Sequence, residues 1–133
     1  MKTYLVDANI FLRLLLNDVP AQTNKAKKVI TKAKEGKIKL VTSQIIIFEV
    51  VFALSKYFDF PKAKVALALE YIIESQYFNL ESKKDFYVAL NIFRNKNIDF
   101  TDSFLLARKI NSKVDIFSFD KKLNNYAKDI KTY

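Results

Sequence analysis

The chain has 133 residues, half of them apolar and 14% aromatic, with a formal net charge of +9 from 23 basic and 14 acidic side chains. That is enough length and apolar content for a folded core, and it excludes a disordered chain. The absence of Cys and His excludes disulfides, thiolate or imidazole catalysis and Cys- or His-held metal, and the single glycine, Gly36, excludes Walker and GxGxxG loops.

In chain order, residues 3–6 read as a buried strand that runs straight into Asp7. Ile10, Phe11, Leu14 and Leu15 then share one helical face, predicting a helix to about Leu16 that ends in the Asn17-Asp18-Val19-Pro20 turn. A second helix is predicted over 22–35, with Ala26, Val29, Ile30 and Ala33 inward, Lys25, Lys28 and Lys32 outward, and Gly36 as its stop. Residues 38–42 read as a strand, and Ser43 as the cap of a helix over 44–58 that breaks at Asp59-Phe60-Pro61. A helix over 62–74, a weak strand over 78–80 and a helix over 83–94 capped by Ser82 follow. Asp99-Phe100-Thr101-Asp102 opens a further helix, residues 114–119 read as a strand ending at Asp120, and after a helical turn a last short strand is expected over 130–133. Strands alternating with helices predict an α/β fold: a mostly parallel sheet with helices on both faces, in one domain over 1–133.

The acids in this frame carry the candidate chemistry. Asp7 and Asp120 each follow a predicted strand, at the carboxyl edge where open α/β sheets bind ligands. Each also precedes a helix, and helix capping is the structural alternative for both, as it is for Asp99 and Asp102. Glu49 is different, because a mid-helix residue caps nothing. Ile45, Ile46, Ile47 and Phe48 precede it and Val50, Val51 and Phe52 follow, so an unpaired charge there is expected to cost several kcal/mol or lose its ionisation. The structural alternative is a salt bridge to Lys56. Gathered in one crevice, Asp7, Glu49, Asp102 and Asp120 would repel by roughly 4 kcal/mol per close pair, unless a proton or a cation intervenes. Without His or Cys, the matching cation is a hard one with oxygen ligands, Mg²⁺ or Mn²⁺, and such an ion activates water without a side-chain base. On a chain of charge +9 this predicts metal-assisted phosphodiester hydrolysis. A Lys-rich composition without functional meaning is the bland account of the same charge.

Val6-Asp7-Ala8-Asn9 with Leu12 and Arg13, Phe48-Glu49-Val50, Asp99-Phe100-Thr101-Asp102-Ser103 and Ser118-Phe119-Asp120 with Lys121 and Leu123 resemble, in order, the four motifs of PIN-domain nucleases. Within that family they look like VapC-type toxin ribonucleases. The resemblance covers the whole chain and implies a three-layer α/β/α domain. It also implies a Mg²⁺- or Mn²⁺-dependent endoribonuclease acting on RNA, with Asp7, Glu49, Asp102 and Asp120 as catalytic and metal-binding acids. Asp99 is then an auxiliary acid, and Asn9 and Ser118 polar helpers. A small antitoxin protein and a homodimer are the partners it implies. Ser103 and Ser118 stand where the family commonly has Ala and Thr, and neither departure removes a carboxylate. Arg13 is a candidate phosphate contact or a surface ion-pair partner.

Two other function classes fit parts of the chain. A non-catalytic RNA-binding module suits the basic surface but gives Glu49 no task. A receiver or phosphatase domain also places Asp at strand ends, yet Asn9 stands where a phosphatase needs its second acid. Asp7, Arg13 and Glu49 break up the apolar runs below the roughly 20 residues of a membrane span, so no membrane association is expected. The N-terminus lacks a signal-peptide pattern, and the expected location is cytoplasmic.

Overall fold

The computed structural model describes residues 1–130. The elements are β1 (Lys2–Leu5), α1 (Ala8–Leu16), α2 (Pro20–Lys34), β2 (Ile38–Thr42), α3 (Gln44–Lys56), α4 (Lys62–Glu74), β3 (Phe78–Leu80), α5 (Lys83–Asn95), α6 (Phe100–Ser112) and α7 (Lys121–Lys128). The class is α/β, as expected, with a wholly parallel sheet in the order β1-β2-β3. The chain divides into two compact units, Met1–Glu81 and Ser82–Tyr133.

The first unit holds the sheet. Leu5 sits opposite Val41 and Thr42 opposite Leu80, so the strand ends that precede α1 and α3 lie close in register. Just past β1, Val6 N–H donates to Val41 O at 2.8 Å and Thr42 Oγ1 to Val6 O at 3.3 Å, which fixes the peptide before Asp7. Phe11 of α1 packs on Phe78 of β3 with ring centroids 4.7 Å apart. Leu40, Ile47, Leu54, Leu69 and Ile72 are fully buried. After α2 the chain turns at Gly36, whose φ of 74° is a left-handed value that other residues adopt only at a cost.

The second unit is helical. Phe86 stacks on Phe100 and tilts against Phe104, and Phe93 meets Phe100 edge-on. Ile98, Leu106 and Leu123 form a buried cluster joined by Ile92, Ile116 and Tyr126, which ties α7 to the α5–α6 pair. Asp85 is buried near the start of α5, where Arg108 Nη1 donates to it at 3.3 Å and Asn111 Nδ2 at 2.8 Å.

Three expectations are corrected. Residues 3–6 are not a buried strand: all four residues of β1 are exposed, Leu5 by 71%, and only Val6 beyond it is buried. β1 is an edge strand, with β2 on one side and no strand on the other among the described residues. Residues 114–119 form no strand there either. Ile116 reaches the α5–α7 cluster, while Phe117 and Phe119 are more than nine-tenths exposed. Ser43 and Ser82 occupy N-cap positions without a side-chain cap bond, and Ser82 has a left-handed φ of 58°. Of the strand expected over 130–133, Ile130 lies in a bend and the rest falls outside the described residues.

Candidate active site

In the first unit Asp7 is the N-cap of α1. Its extended backbone carries the chain from strand to helix, and its Oδ1 accepts from Ile10 N–H at 3.4 Å, a long bond that leaves most of the carboxylate's capacity free. Asp7 is exposed, as is Asn9, the second residue of the helix. Arg13, mostly buried, sits 3.3 Å from Asp18 through Nε. Nε makes no well-aligned hydrogen bond, so this is a charge contact that ties the end of α1 to the turn after it.

Glu49 is placed otherwise than its neighbours in sequence suggest. Ile47, Val50, Ala53 and Leu54 make the buried side of α3. Glu49 shares the opposite, exposed stripe with Ile45 and Phe52, which are 74% and 51% exposed. Water reaches it, so the expected burial penalty does not apply. Nor does it pair with Lys56, one turn past Phe52 on the same stripe: neither residue forms an ion pair among the described residues.

In the second unit Asp102 interacts electrostatically with two other acids, Asp99 and Asp120. Asp99 caps α6, accepting from Asp102 N–H at 2.8 Å, and Ser103 Oγ donates to Asp99 O at 2.8 Å. Asp120 caps α7, accepting from Leu123 N–H at 3.0 Å. Ser118 Oγ accepts from Asp120 N–H at 3.0 Å, and Asn124 Nδ2 donates to Ser118 O at 2.8 Å. Ser118 thus holds the backbone of Asp120 through its hydroxyl. Partial burial, then the negative charges of Asp99 and Asp120, raise the pKa of Asp102 above the usual aspartate range, while Lys122 pulls it back. Asn124 and Lys122 are site residues that sequence reasoning missed. Their only signal is position, four and two residues past Asp120 respectively.

As donors these side chains suit a hard divalent cation, since all the acids offer carboxylate oxygens. The strained ionisation of Asp102 is what a cation would relieve. Among the described residues no three acids are drawn together closely enough to form a ready metal site.

The family model for the PIN domain matches residues 4–129, nearly the whole chain. This chain belongs to the PIN domain family. PIN domains are nuclease-type modules, generally metal-dependent ribonucleases that act on nucleic acid, and the match spans both compact units. No curated protein and no solved structure matches the chain. Among the described residues, no helix of this PIN domain is long and apolar enough to cross a membrane.

Proposed function

We propose that this PIN domain is a Mg²⁺- or Mn²⁺-dependent endoribonuclease and the toxin of a toxin–antitoxin pair, working in the cytoplasm as one functional domain over 1–133. The observation that carries the reading is the electrostatic interaction of Asp102 with Asp99 and Asp120. Asp99 and Asp102 are cap and first-turn acid of one helix and would be neighbours in any case, but Asp120 belongs to another element and acts on the same carboxylate. Perturbed acids of this kind gather where a cation or a proton is handled.

In this reading Asp102 and Asp120 hold the cation together with Asp7 and Glu49, and Asp99 supports Asp102 from the same helix start. Ser118 and Asn124 keep Asp120 in place, and Asn9 offers an amide beside Asp7. When bound, the cation supplies Lewis-acid activation of the phosphodiester and of water. The net charge of +9 draws the RNA in. For Arg13 to contact a phosphate it would have to leave Asp18. A small acidic antitoxin and a homodimer belong to the same proposal.

A second reading, a non-catalytic RNA-binding module, gains from the exposure of Glu49, which no longer demands a functional partner. The receiver and phosphatase readings lose their ground with the family match. Incubation with a panel of structured and unstructured RNAs separates the first two, using Mg²⁺ or Mn²⁺, a chelator, and the Asp7→Asn and Asp120→Asn proteins. Cleavage that needs the cation and both acids is the expected result. RNA binding without cleavage by the wild-type chain supports the module, and cleavage that survives both substitutions removes those acids from the chemistry.

A further inference from the structure

The first unit holds a cavity of about 430 Å³ between α1, α2 and the strands β1 and β2. That volume lies within the range of small-ligand sites, roughly 300–1,000 Å³. Ile10, Val29 and Leu40 make the lining apolar, and Tyr4 and Leu5, 41% and 71% exposed, stand on its β1 side. Lys2 lies over the Tyr4 ring at 5.1 Å and adds its charge to that wall. Polar groups share the lining: the amides of Asn9 and Gln22 and the charges of Arg13, Lys25 and Lys32, with no acid among them. Among the described residues neither side-chain amide makes a hydrogen bond and neither of these two lysines an ion pair. Arg13 is held 3.3 Å from Asp18 through Nε, so it is a fixed wall. Val6 and Asn9, one residue before and two after Asp7, also line the cavity, which therefore reaches the strand-to-helix junction that Asp7 caps.

We propose that this cavity receives one unstacked base of the RNA, from a nucleotide beside Asp7, and so sets a sequence preference for the cut. The cavity's role rests on the ribonuclease reading of Asp7, to which it adds a substrate contact. A phosphate does not suit the lining, since burying its charge against Ile10, Val29 and Leu40 is costly. A base does: it is flat and largely uncharged, and it lies against apolar or aromatic side chains while its edge hydrogen-bonds. The Asn9 and Gln22 amides each offer two donors and an acceptor, the functions that such an edge needs. Lys25 and Lys32 stand seven residues apart on α2, which puts them on one side of the helix about 10 Å apart along its axis. There they suit the flanking phosphates, which add affinity without reading sequence.

The test uses the full chain and short labelled RNAs in the presence of a chelator, so that binding is read apart from cleavage. The strands are homopolymers of A, C and U, a U strand interrupted by G, and an abasic strand of the same length. Fluorescence anisotropy measures affinity, and circular dichroism checks the fold of each variant. One base-bearing strand is expected to bind at least about tenfold tighter than the abasic one. Gln22→Ala should flatten the differences among the bases and leave affinity for the abasic strand unchanged. Val29→Phe, which fills the cavity, should bring the base-bearing strands close to the abasic one. Should Val29→Phe disturb the fold, Gln22→Ala still decides the matter. Lys25→Glu with Lys32→Glu should weaken every strand alike and reduce the salt dependence. Equal binding of the base-bearing and abasic strands overturns the proposal, even where added Mg²⁺ or Mn²⁺ brings cleavage. So does a base preference that survives both Gln22→Ala and Val29→Phe, which places recognition elsewhere. A preference that depends on Gln22 without any cleavage upholds the base pocket and overturns the ribonuclease reading alone.

Discussion

The acids of the two units behave differently. Asp7 and Glu49 in the first unit are exposed to water. In the second, Asp99 and Asp120 both act on Asp102 and raise its pKa. Yet Asp7, Asp99 and Asp120 are all helix N-caps with a side-chain bond. Capping therefore does not separate structural from functional acids. A cap spends one lone pair of a carboxylate and leaves the rest to chemistry. The distinguishing mark is a neighbour of the same sign that the fold tolerates.

The widest break in this comparison would come from kinetics. Asp120→Asn and Asp102→Asn are each expected to slow metal-dependent RNA cleavage about a hundredfold or more, the usual size of a lost electrostatic contact to the reacting group. Single-turnover rates measure this, and Asp7→Asn should match them if the first unit contributes equally. Glu49→Gln sharpens the same point. Its exposure predicts an unchanged melting temperature, so any fall in rate is chemical, and an unchanged rate would leave Glu49 out of the acid set.

A structural contrast comes next. Asp85 is buried and bonded to Arg108 and Asn111, so Asp85→Ala should cost about 2 kcal/mol of stability in a denaturant titration. It should leave cleavage per folded molecule intact.

Smaller is the titration of Asp102, read by carboxyl NMR without added metal. Its pKa should lie above that of an ordinary aspartate, fall in Asp120→Asn and rise in Lys122→Ala. A folded-state value above the unfolded one means that the ionised form is held at a cost. The cost is absent below the unfolded pKa and grows as pH rises through that value towards the folded one. Asp102→Asn should accordingly melt slightly higher than wild type at neutral pH, while losing activity. Smallest is the double change Phe117→Ser with Phe119→Ser. Both rings are more than nine-tenths exposed, so stability should move by no more than about 0.5 kcal/mol. A larger loss would mean that these rings are covered in solution.

Much of the fold was legible because its boundaries are marked by residues with few conformations. β2 begins just after Gly36 and α4 directly after Pro61, both where the pattern placed them, and β3 follows at 78–80. Residues 114–119 were misread because β-propensity describes a residue's comfort on a pleated surface and supplies no neighbouring strand. Glu49 was misread for a related reason: apolar neighbours in sequence are spread around a helix, and its neighbours on the stripe, Ile45 and Phe52, are exposed as well. At the site, Asp99 and Asp102 were visible from their spacing. The raised ionisation of Asp102 was not, because it depends on Asp120, which tertiary packing brings near.

Among the described residues the outer edge of β1 is unpaired, which has a consequence for handling the protein. Four residues of parallel edge with free N–H and C=O groups, and Leu5 projecting from it, form a template onto which a foreign extended chain could add. Lys2 opens that edge with a positive charge, and Asp7 closes it with a negative one two residues past its end. A recruited apolar peptide would have to desolvate at least one of them. This charged bracketing, on so short a ladder, is a gatekeeper against aggregation, and neutralising Lys2 should lower the concentration at which the protein precipitates.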